Sequence, residues 1–319
     1  MHAINYIFKY HDGIQKGEIA AGRWVRAIYE IVIEGLRRGD YLFDWKKANK
    51  AIKFIEGFCH HSEGRDDLLE LELWQKALIS CIFGIVEASG ARVWREVFVV
   101  IGRKNGKSLL ASAIIAYMAY MDGESGANIY CLAPKLEQAN IVYNNFYQMI
   151  QKEPDLSDLA IKRRSDIYIR ESNTSIKPLA FNAKKSDGFN PHLVVNDELA
   201  SWRGDGGLKQ YEVMKSALGA RRQPFILSIS TAGYENNGIY DELMERSTDL
   251  LRGGSKERRL LPVIYMIDDL DKWNDVEELK KANPNMGVSV HPEFYEEEIA
   301  VAGISMSKKT EFLVKYCNL

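Results

Sequence analysis

The feature that most constrains the fold is an alternation of segments that begins near residue 71. Short apolar runs of strand length are each followed by a polar turn and a longer amphipathic segment, a pattern typical of βαβ units. Two of the runs are rich in β-branched residues and short enough to be buried strands. The sequence therefore predicts an α/β fold with a mainly parallel central sheet flanked by helices. The predicted strands are residues 97–101, 127–132, 192–196, 225–230 and 260–266.

The regions outside this alternation predict further features. The first 70 residues carry helical periodicity together with many charged and aromatic residues. Residues 166–182 resemble a hairpin, with Asn173 and Thr174 near its turn. Beyond about residue 255 the chain adds one strand and then becomes acidic and helix-rich. We therefore expect a helical N-terminal lobe (1–70), an α/β core (71–255) and a C-terminal part (256–319).

Composition limits the class of protein. The chain has 319 residues, of which 46% are hydrophobic, enough for a sizeable core. The formal net charge of -2 argues against a protein that coats nucleic acid passively, although a local basic patch is compatible with it. The four cysteines have no repeating spacing, which favours reduced thiols. Because neither a signal pattern nor a membrane-spanning apolar run is present, we expect a cytoplasmic protein without membrane contact.

The segment "GRKNGKS" follows the first predicted strand and precedes a helix rich in Ala and Leu. Such a loop binds phosphate because small residues let consecutive backbone N–H groups point at the anion, at the positive end of a helix. Lys107 is placed to reach the β- and γ-phosphates, and the Ser108 hydroxyl to ligand Mg²⁺. The general pattern, however, has a glycine where this chain has Ile101. From the loop alone, a nucleotide site and an ordinary strand-turn-helix junction both remain open.

An acidic pair, Asp197 and Glu198, directly follows the apolar run in "HLVVNDELA". A P-loop motor needs one carboxylate that assists Mg²⁺ and a second that polarises the attacking water, at the end of a neighbouring buried strand. The alternative is solvated surface charge. Because the pair follows a buried strand and a candidate phosphate loop, we interpret it as functional.

A third motif ends the predicted strand 225–230 and consists of Ser230, Thr231, Ala232 and Gly233. Small hydroxyl residues at the carboxyl end of a strand face the same crevice as the phosphate loop in a doubly wound sheet. They are placed to form a hydrogen bond with the γ-phosphate, so that loss of the phosphate would move another element of the structure. Taken alone, a motif of this kind is more often a simple turn, and its interpretation depends on its position after the other two motifs.

These three motifs, in this order, resemble the large subunit of tailed-phage terminases, the motor that packages DNA into a prohead. "GRKNGKS" is similar to the family's variant phosphate loop, "VVNDELASW" to its Walker B motif with the catalytic glutamate, and "SISTAGYENNG" to its coupling motif. "KKANPNMGVSV" (280–290) resembles a further signature. The resemblance runs from about Leu71 to the end of the chain. It implies a P-loop NTPase fold of the RecA/ASCE type, in which residues 71–255 are the ATPase core and 256–319 its lid or linker.

The resemblance also implies residue roles. Glu198 is the expected catalytic base, with Lys107 and Arg103 acting on the phosphates, and Ser108 and Asp197 serve Mg²⁺. The ATP-binding residues that the resemblance implies are Gln75, Gly102, Arg103, Lys104, Asn105, Gly106, Lys107, Ser108 and Leu109. Gln75 would read the adenine edge with Trp74 nearby, and Ser230, Thr231, Ala232 and Gly233 would couple hydrolysis to movement. The alternatives are an amphipathic helix with one core tryptophan for residues 74 and 75, and a solvated side chain for Arg103.

A ring motor generally needs an arginine that reaches into the neighbouring subunit's site. Arg203, Arg221 and Arg222 are candidates because they lie between the acidic pair and the coupling motif. The alternative for each is ordinary surface charge.

Complete large terminases also carry a C-terminal nuclease domain with a cluster of metal-binding carboxylates. Here Asp268, Asp269 and Asp271 lie too close together to be assembled from separate strands, so we expect them to be solvated. We expect an isolated ATPase region, truncated or separately encoded, without nuclease activity.

The predicted function is an ATP- and Mg²⁺-dependent motor that translocates double-stranded DNA in the host cytoplasm. The expected partners are DNA, bound through its backbone, the portal protein and the small terminase subunit. A homo-oligomeric ring is expected for the active state, and a monomer is compatible with the isolated chain. Short basic clusters suited to DNA phosphates are residues 162–164, residues 221–222, residue 256 with 258–259, and residues 308–309. Two alternatives stay open: a helicase-like nucleic-acid-dependent ATPase, and a non-catalytic nucleotide-binding assembly module.

Overall fold

The computed structural model describes residues 5–181, 188–234 and 237–319. Its helices are α1 (Tyr6–Gln15), α2 (Arg23–Arg38), α3 (Trp45–Phe58), α4 (Leu73–Gly84), α5 (Lys107–Tyr120), α6 (Leu136–Gln151), α7 (Pro154–Ser157), α8 (Gly204–Ala217), α9 (Ile239–Leu251), α10 (Val276–Leu279), α11 (Pro292–Ala302) and α12 (Met306–Phe312). Its strands are β1 (Leu42–Phe43), β2 (Ile85–Val86), β3 (Glu96–Val100), β4 (Asn128–Ala133), β5 (Ala160–Lys162), β6 (Ile167–Ile169), β7 (Thr174–Ala180), β8 (Leu193–Asp197), β9 (Phe225–Ser230) and β10 (Leu260–Ile264).

The central sheet has eight strands in the order β10-β3-β9-β8-β4-β7-β6-β5. Pairing is parallel from β10 to β7 and antiparallel from β7 to β5. Strands β3 and β9 are buried along their whole length, as their continuous apolar runs predicted. The predicted α/β fold with a mainly parallel sheet is confirmed, and the five predicted strands lie within two residues of their observed bounds.

The predicted hairpin is confirmed by the antiparallel pairing of β6 with β7, in which Ile167 lies opposite Ile176. Asn173 sits in the turn with a left-handed φ of 53°, a conformation that asparagine tolerates well. Asn182, the last residue of the prediction, lies outside the described residues. Strand β5 was not predicted, because its three residues are too short and too exposed to give an alternating pattern.

Two hydrophobic clusters divide the chain. The larger runs from Ile7 to Tyr265, so the helices of the predicted N-terminal lobe pack into the same core as the sheet. The smaller cluster runs from Ile267 to Cys317. We call residues 267–319 the C-terminal unit. The clusters divide near residue 266, and the domain division at residues 70 and 255 stays a prediction. Among the described residues, each helix is too short or too polar to serve as a transmembrane span.

A buried ion cluster ties together the amino-terminal edge of the sheet. Asp122 accepts hydrogen bonds from Arg92, and its Oδ2 lies 2.6 Å from Nε2 of His192. These three residues are at most 3% exposed at the side chain. Burial alone would raise the pKa of Asp122, but the Arg92 guanidinium and the contact with His192 outweigh it and hold that pKa well below its ordinary range.

We predict that Asp122→Ala lowers the free energy of unfolding by about 3–5 kcal/mol, because it leaves two buried partners without their shared carboxylate. Denaturant unfolding followed by circular dichroism measures the loss. The matched control is Asp40→Ala, whose carboxylate pairs with the exposed Arg38 and whose removal should barely move the midpoint. Equal losses for the two variants would contradict this account of the edge.

Candidate nucleotide-binding site

The phosphate loop joins β3 to α5. Ile101 is fully buried, and its N–H donates to the Ser230 carbonyl at 3.0 Å, so strand pairing continues through this position and no glycine is needed there. A Cβ on Gly102, by contrast, would lie 2.0 Å from Oδ1 of Asn283. The glycine is shifted by one residue because the loop packs against Asn283 at that point.

Two left-handed residues shape the end of the loop, Lys104 with φ 64° and Gly106 with φ 76°. Gly106 is the N-cap of α5, and no side chain caps the helix there. The first amides of α5, from Lys107 to Leu109, therefore lack intrahelical partners and lie at the positive end of the helix dipole. This is an arrangement suited to a phosphate group.

The acidic pair lies against the loop. The Ser108 hydroxyl donates to Oδ2 of Asp197 at 2.9 Å, and Lys107 Nζ lies 3.5 Å from Oε1 of Glu198. Burial, together with the Glu198 carboxylate, raises the pKa of Asp197 to about 6 against the opposing effects of Lys107 and Ser108. Glu198 has a φ of 51°, a strained conformation for a non-glycine residue that is common at functional sites. The four residues therefore meet at one point.

The residues at this point fit Mg²⁺. A hydroxyl and a carboxylate are the hard oxygen donors that this cation prefers, and the Ser108 hydroxyl and the Asp197 carboxylate lie 2.9 Å apart. Within the described parts of the chain, no group of three or more His, Cys, Asp or Glu residues is arranged to hold a metal. The remaining ligands would be phosphate oxygens and water, as is usual for Mg²⁺.

The coupling segment, residues 230–233, contacts the strand before the phosphate loop and the turn after the acidic pair. The Ser230 hydroxyl accepts a hydrogen bond of 3.0 Å from the Ala200 amide, two residues after Glu198, while the Ser230 carbonyl accepts from the amide of Ile101, directly before the loop. Gly233 lies so close that a Cβ would be 2.5 Å from Cβ of Ala200. Thr231 and Ala232 are buried. Residues 235 and 236 of the quoted motif lie outside the described residues.

Trp74 and Gln75 both have structural contacts. Oε1 of Gln75 accepts a hydrogen bond of 2.8 Å from the Glu72 amide and so caps α4. Trp74 is only 4% exposed, and its Nε1 donates to Oδ1 of Asn285 at 2.6 Å. The alternative of a helix with a core tryptophan therefore describes their packing, and adenine recognition by Gln75 stays a prediction.

The cations of the loop differ in their surroundings. Lys104 lies with its ammonium 5.0 Å from the centre of the Phe294 ring, toward the C-terminal unit. Arg103 is exposed, in keeping with the alternative of a solvated side chain, and its backbone N–H donates to the Lys315 carbonyl. A contact of Arg103 with the γ-phosphate stays a prediction.

The three candidate trans arginines differ in the contacts of their side chains. Arg221 donates through all three guanidinium nitrogens to Asn190, Glu124 and Gly126, which argues against a role in another subunit. Arg222 is exposed and donates to the Ser89 carbonyl. Arg203 is exposed at the N-cap of α8, and no hydrogen bond or ion pair is found for its side chain among the described residues. Arg203 is thus the candidate whose guanidinium is free of contacts among the described residues, and its role in a neighbouring site stays a prediction.

Several predicted surface charges have partners. Asp268 accepts hydrogen bonds from the amide and Nε of Arg23 and lies 3.2 Å from Nζ of Lys281, so this partly exposed carboxylate forms surface ion pairs. Of the basic clusters, Arg163 pairs with Asp166, and Lys162 lies over the Tyr147 ring. Their predicted DNA contacts remain untested.

The fold and the site together define a P-loop NTPase with a mainly parallel sheet. The chain belongs to the terminase large subunit family: the family's ATPase-domain model, described as "Terminase large subunit, ATPase domain", matches residues 73–249, more than half of the chain. The resemblance that the motifs indicated is thereby confirmed.

Several known proteins are similar to the chain. Protein YmfN of Escherichia coli K12 is 36% identical over 137 residues, 43% of this chain and 29% of that protein. The terminase large subunit of Enterobacteria phage HK97 is 27% identical over 190 residues, 58% of this chain and 36% of that protein. The crystal structure of the HK97 large terminase has a TM-score of 0.74 at 23% identity, over 86% of this chain and 55% of that one. The chain thus spans about half or less of the length of these proteins.

We predict that Gly233→Ala lowers the free energy of unfolding by about 1–3 kcal/mol, because its methyl group collides with Ala200. Thermal and denaturant unfolding measure the loss. Gly219→Ala is the control, since a Cβ there meets nothing within 4 Å. Ala200→Gly in the Gly233→Ala background should recover part of the loss, and the absence of recovery would count against the contact.

Proposed function

We propose that this chain is the ATPase motor of a terminase large subunit, and that it hydrolyses ATP to translocate double-stranded DNA into a prohead. The observation that carries the proposal is the convergence of Lys107, Ser108, Asp197 and Glu198 at the carboxyl ends of parallel strands, in a chain of the terminase family. Membership alone supports an ATPase region, whereas this arrangement supports hydrolysis.

In the proposed mechanism, the amides of the phosphate loop and the Lys107 ammonium bind the phosphates and neutralise developing charge. Ser108 and Asp197 would hold Mg²⁺, which would supply further charge neutralisation at the phosphates. Phosphate competes with Glu198 for Lys107 and frees the Glu198 carboxylate to orient water in line with the γ-phosphate. Glu198 then accepts the proton that the attacking water loses.

Coupling follows from the contacts of Ser230. Its carbonyl binds the residue before the loop, and its hydroxyl binds the turn after Glu198, so loss of phosphate would shift the segment from Ser230 to Gly233. The proposed partners are double-stranded DNA, a portal protein and a small terminase subunit. We propose a homo-oligomeric ring as the active state, in the host cytoplasm during virion assembly.

We predict that Glu198→Gln binds ATP as tightly as the parent but lowers kcat about 10²- to 10⁴-fold, because the amide cannot accept the proton. Phosphate release measures kcat, and a fluorescent ATP analogue measures binding. The control is Glu212→Gln on the exposed face of α8, which should hydrolyse ATP at the parent rate. Unchanged turnover in Glu198→Gln would show that the base is another residue.

We further predict that Arg203→Ala lowers kcat by about 10³-fold or more under conditions in which the protein assembles. Mixing it with Lys107→Ala, inactive for a different reason, should restore activity, because some interfaces then combine an intact Lys107 with an intact Arg203. Arg222→Ala is the matched control and should retain parent turnover. If the mixture is no more active than its components, Arg203 does not act in a neighbouring site.

Two measurements separate the proposal from its alternatives. A DNA motor should hydrolyse ATP faster with double-stranded DNA, without separating the strands of a forked duplex, whereas a helicase separates them. A non-catalytic assembly module should show no turnover at any protein concentration, with or without portal protein.

A further inference from the structure

The C-terminal unit binds the phosphate loop at four consecutive residues. The Gly102 amide donates to the Ala282 carbonyl at 3.1 Å, and the Arg103 amide to the Lys315 carbonyl at 3.0 Å. The other two contacts are made by the Lys104 carbonyl, which accepts from the Ser289 hydroxyl at 2.8 Å, and by the side chain and carbonyl of Asn105. The conformation of the loop is therefore supported from outside the sheet.

Asn283 is the first of two asparagines that carry this support. Its Oδ1 accepts from Nδ2 of Asn105 at 3.0 Å, and its own Nδ2 donates to the carbonyls of Leu279 and Tyr316 at 2.9 and 2.7 Å. Asn283 is 1% exposed. It joins the loop to two separate segments of the C-terminal unit, and both of its polar atoms have partners.

Asn285 is the second. The backbone N–H of Asn285 donates to Oδ1 of Asn105 at 3.0 Å, and its side-chain Nδ2 donates to the Asn105 carbonyl at 3.2 Å. Its Oδ1 accepts a hydrogen bond from Nε1 of Trp74. Asn105 itself is fully buried, and its Nδ2 also donates to the Gly102 carbonyl at 3.1 Å. The three asparagines thus join the loop, α4 and the C-terminal unit in one buried polar network.

The hydrogen bonds of this network specify the geometry of the loop more narrowly than apolar packing would. Asn105 lies between the two left-handed residues, Lys104 and Gly106. Lys104, which is not a glycine, needs surrounding contacts to hold this backbone conformation. A buried amide that loses its partner costs free energy, so few loop geometries satisfy all of these groups. The apolar residues of the C-terminal unit, in contrast, form a separate cluster.

We infer that Asn283 and Asn285 are positioning residues for nucleotide binding. Through Asn105 they let the C-terminal unit set the shape of the phosphate loop. The inference rests on the proposed function in that the ligand of the loop is ATP. It also explains the shifted glycine, since Gly102 gives Asn283 the space to approach the loop.

The same unit binds the coupling segment. Oδ1 of Asn318 accepts from the Ala232 amide at 3.1 Å, and Nδ2 of Asn318 donates to the Tyr265 carbonyl at 2.7 Å. Asn318 is fully buried. A partner that shifts the C-terminal unit would therefore change the affinity for ATP. Because coupling between two binding sites is reciprocal, ATP would change the affinity for that partner by the same factor.

The first test is hydrogen exchange of the peptide covering residues 101–108, without nucleotide. Asn283→Ala and Asn285→Ala should speed exchange of the loop amides. The matched control is Glu278→Ala, which removes contacts to residues 268, 269 and 281 within the same unit but touches no loop residue. Faster exchange only in the asparagine variants supports the inference. Parent-like exchange in both, or an equal rise in the control, overturns it.

The second test is binding of a methylanthraniloyl-ATP analogue. Each asparagine variant should bind it about tenfold more weakly, with KM for ATP raised more than kcat is lowered. Glu278→Ala should bind it like the parent even if its Tm falls. Asn285→Ala keeps its backbone contact to Asn105, so it serves as the milder variant if Asn283→Ala does not fold.

A double-variant cycle tests the contact behind the shifted glycine. Gly102→Ala should weaken analogue binding strongly alone and less in the Asn283→Ala background, where the colliding oxygen is gone. Additive losses would overturn this contact. The exchange test needs no nucleotide and so decides the inference independently: a parent protein that fails to bind ATP counts against the proposed function, not against the role of the asparagines in the loop.

Discussion

The structure depends most on the parallel register of β3, β9 and β8. Val100 lies opposite Ser230, and Asp197 lies opposite Ile229, so the three strands end at one level. Parallel strands place their carboxyl ends at one edge of a sheet, where helices begin and ligands bind. The phosphate loop, the acidic pair and the coupling segment each lie at the carboxyl end of one of these strands, and this register brings them within hydrogen-bonding distance.

The C-terminal unit imposes a second constraint, on the conformation of the phosphate loop. The larger hydrophobic cluster ends at Tyr265, and beyond it the chain forms a small cluster of its own. Buried asparagines, rather than a shared apolar core, connect this C-terminal unit to the phosphate loop and the coupling segment. Polar contacts of this kind require one relative placement, because displaced donors and acceptors would remain buried without partners. The unit can thus fix the loop while keeping its own core.

Sequence patterns predicted much of the fold. Continuous apolar runs identified the buried strands, since a strand covered on both faces carries apolar residues at every position. Strand β5 escaped prediction because its residues are few and exposed. The roles predicted for Lys107, Ser108, Asp197 and Glu198 stay predictions, but the structure places these residues together. The sequence did not distinguish Arg203 from Arg221, because only the folded chain shows that Arg221 is held by partners distant in sequence.

By itself, the sequence determined the alternation of strands and helices, the order of the motifs and the resemblance to large terminases, because each of these is written in local runs of residues. Only the tertiary structure decided why glycine stands at residue 102 and isoleucine at 101. Strand pairing with Ser230 favours an ordinary residue at 101, and the approach of Asn283 excludes a side chain at 102. Both reasons are contacts between residues more than a hundred positions apart, and no local pattern records them.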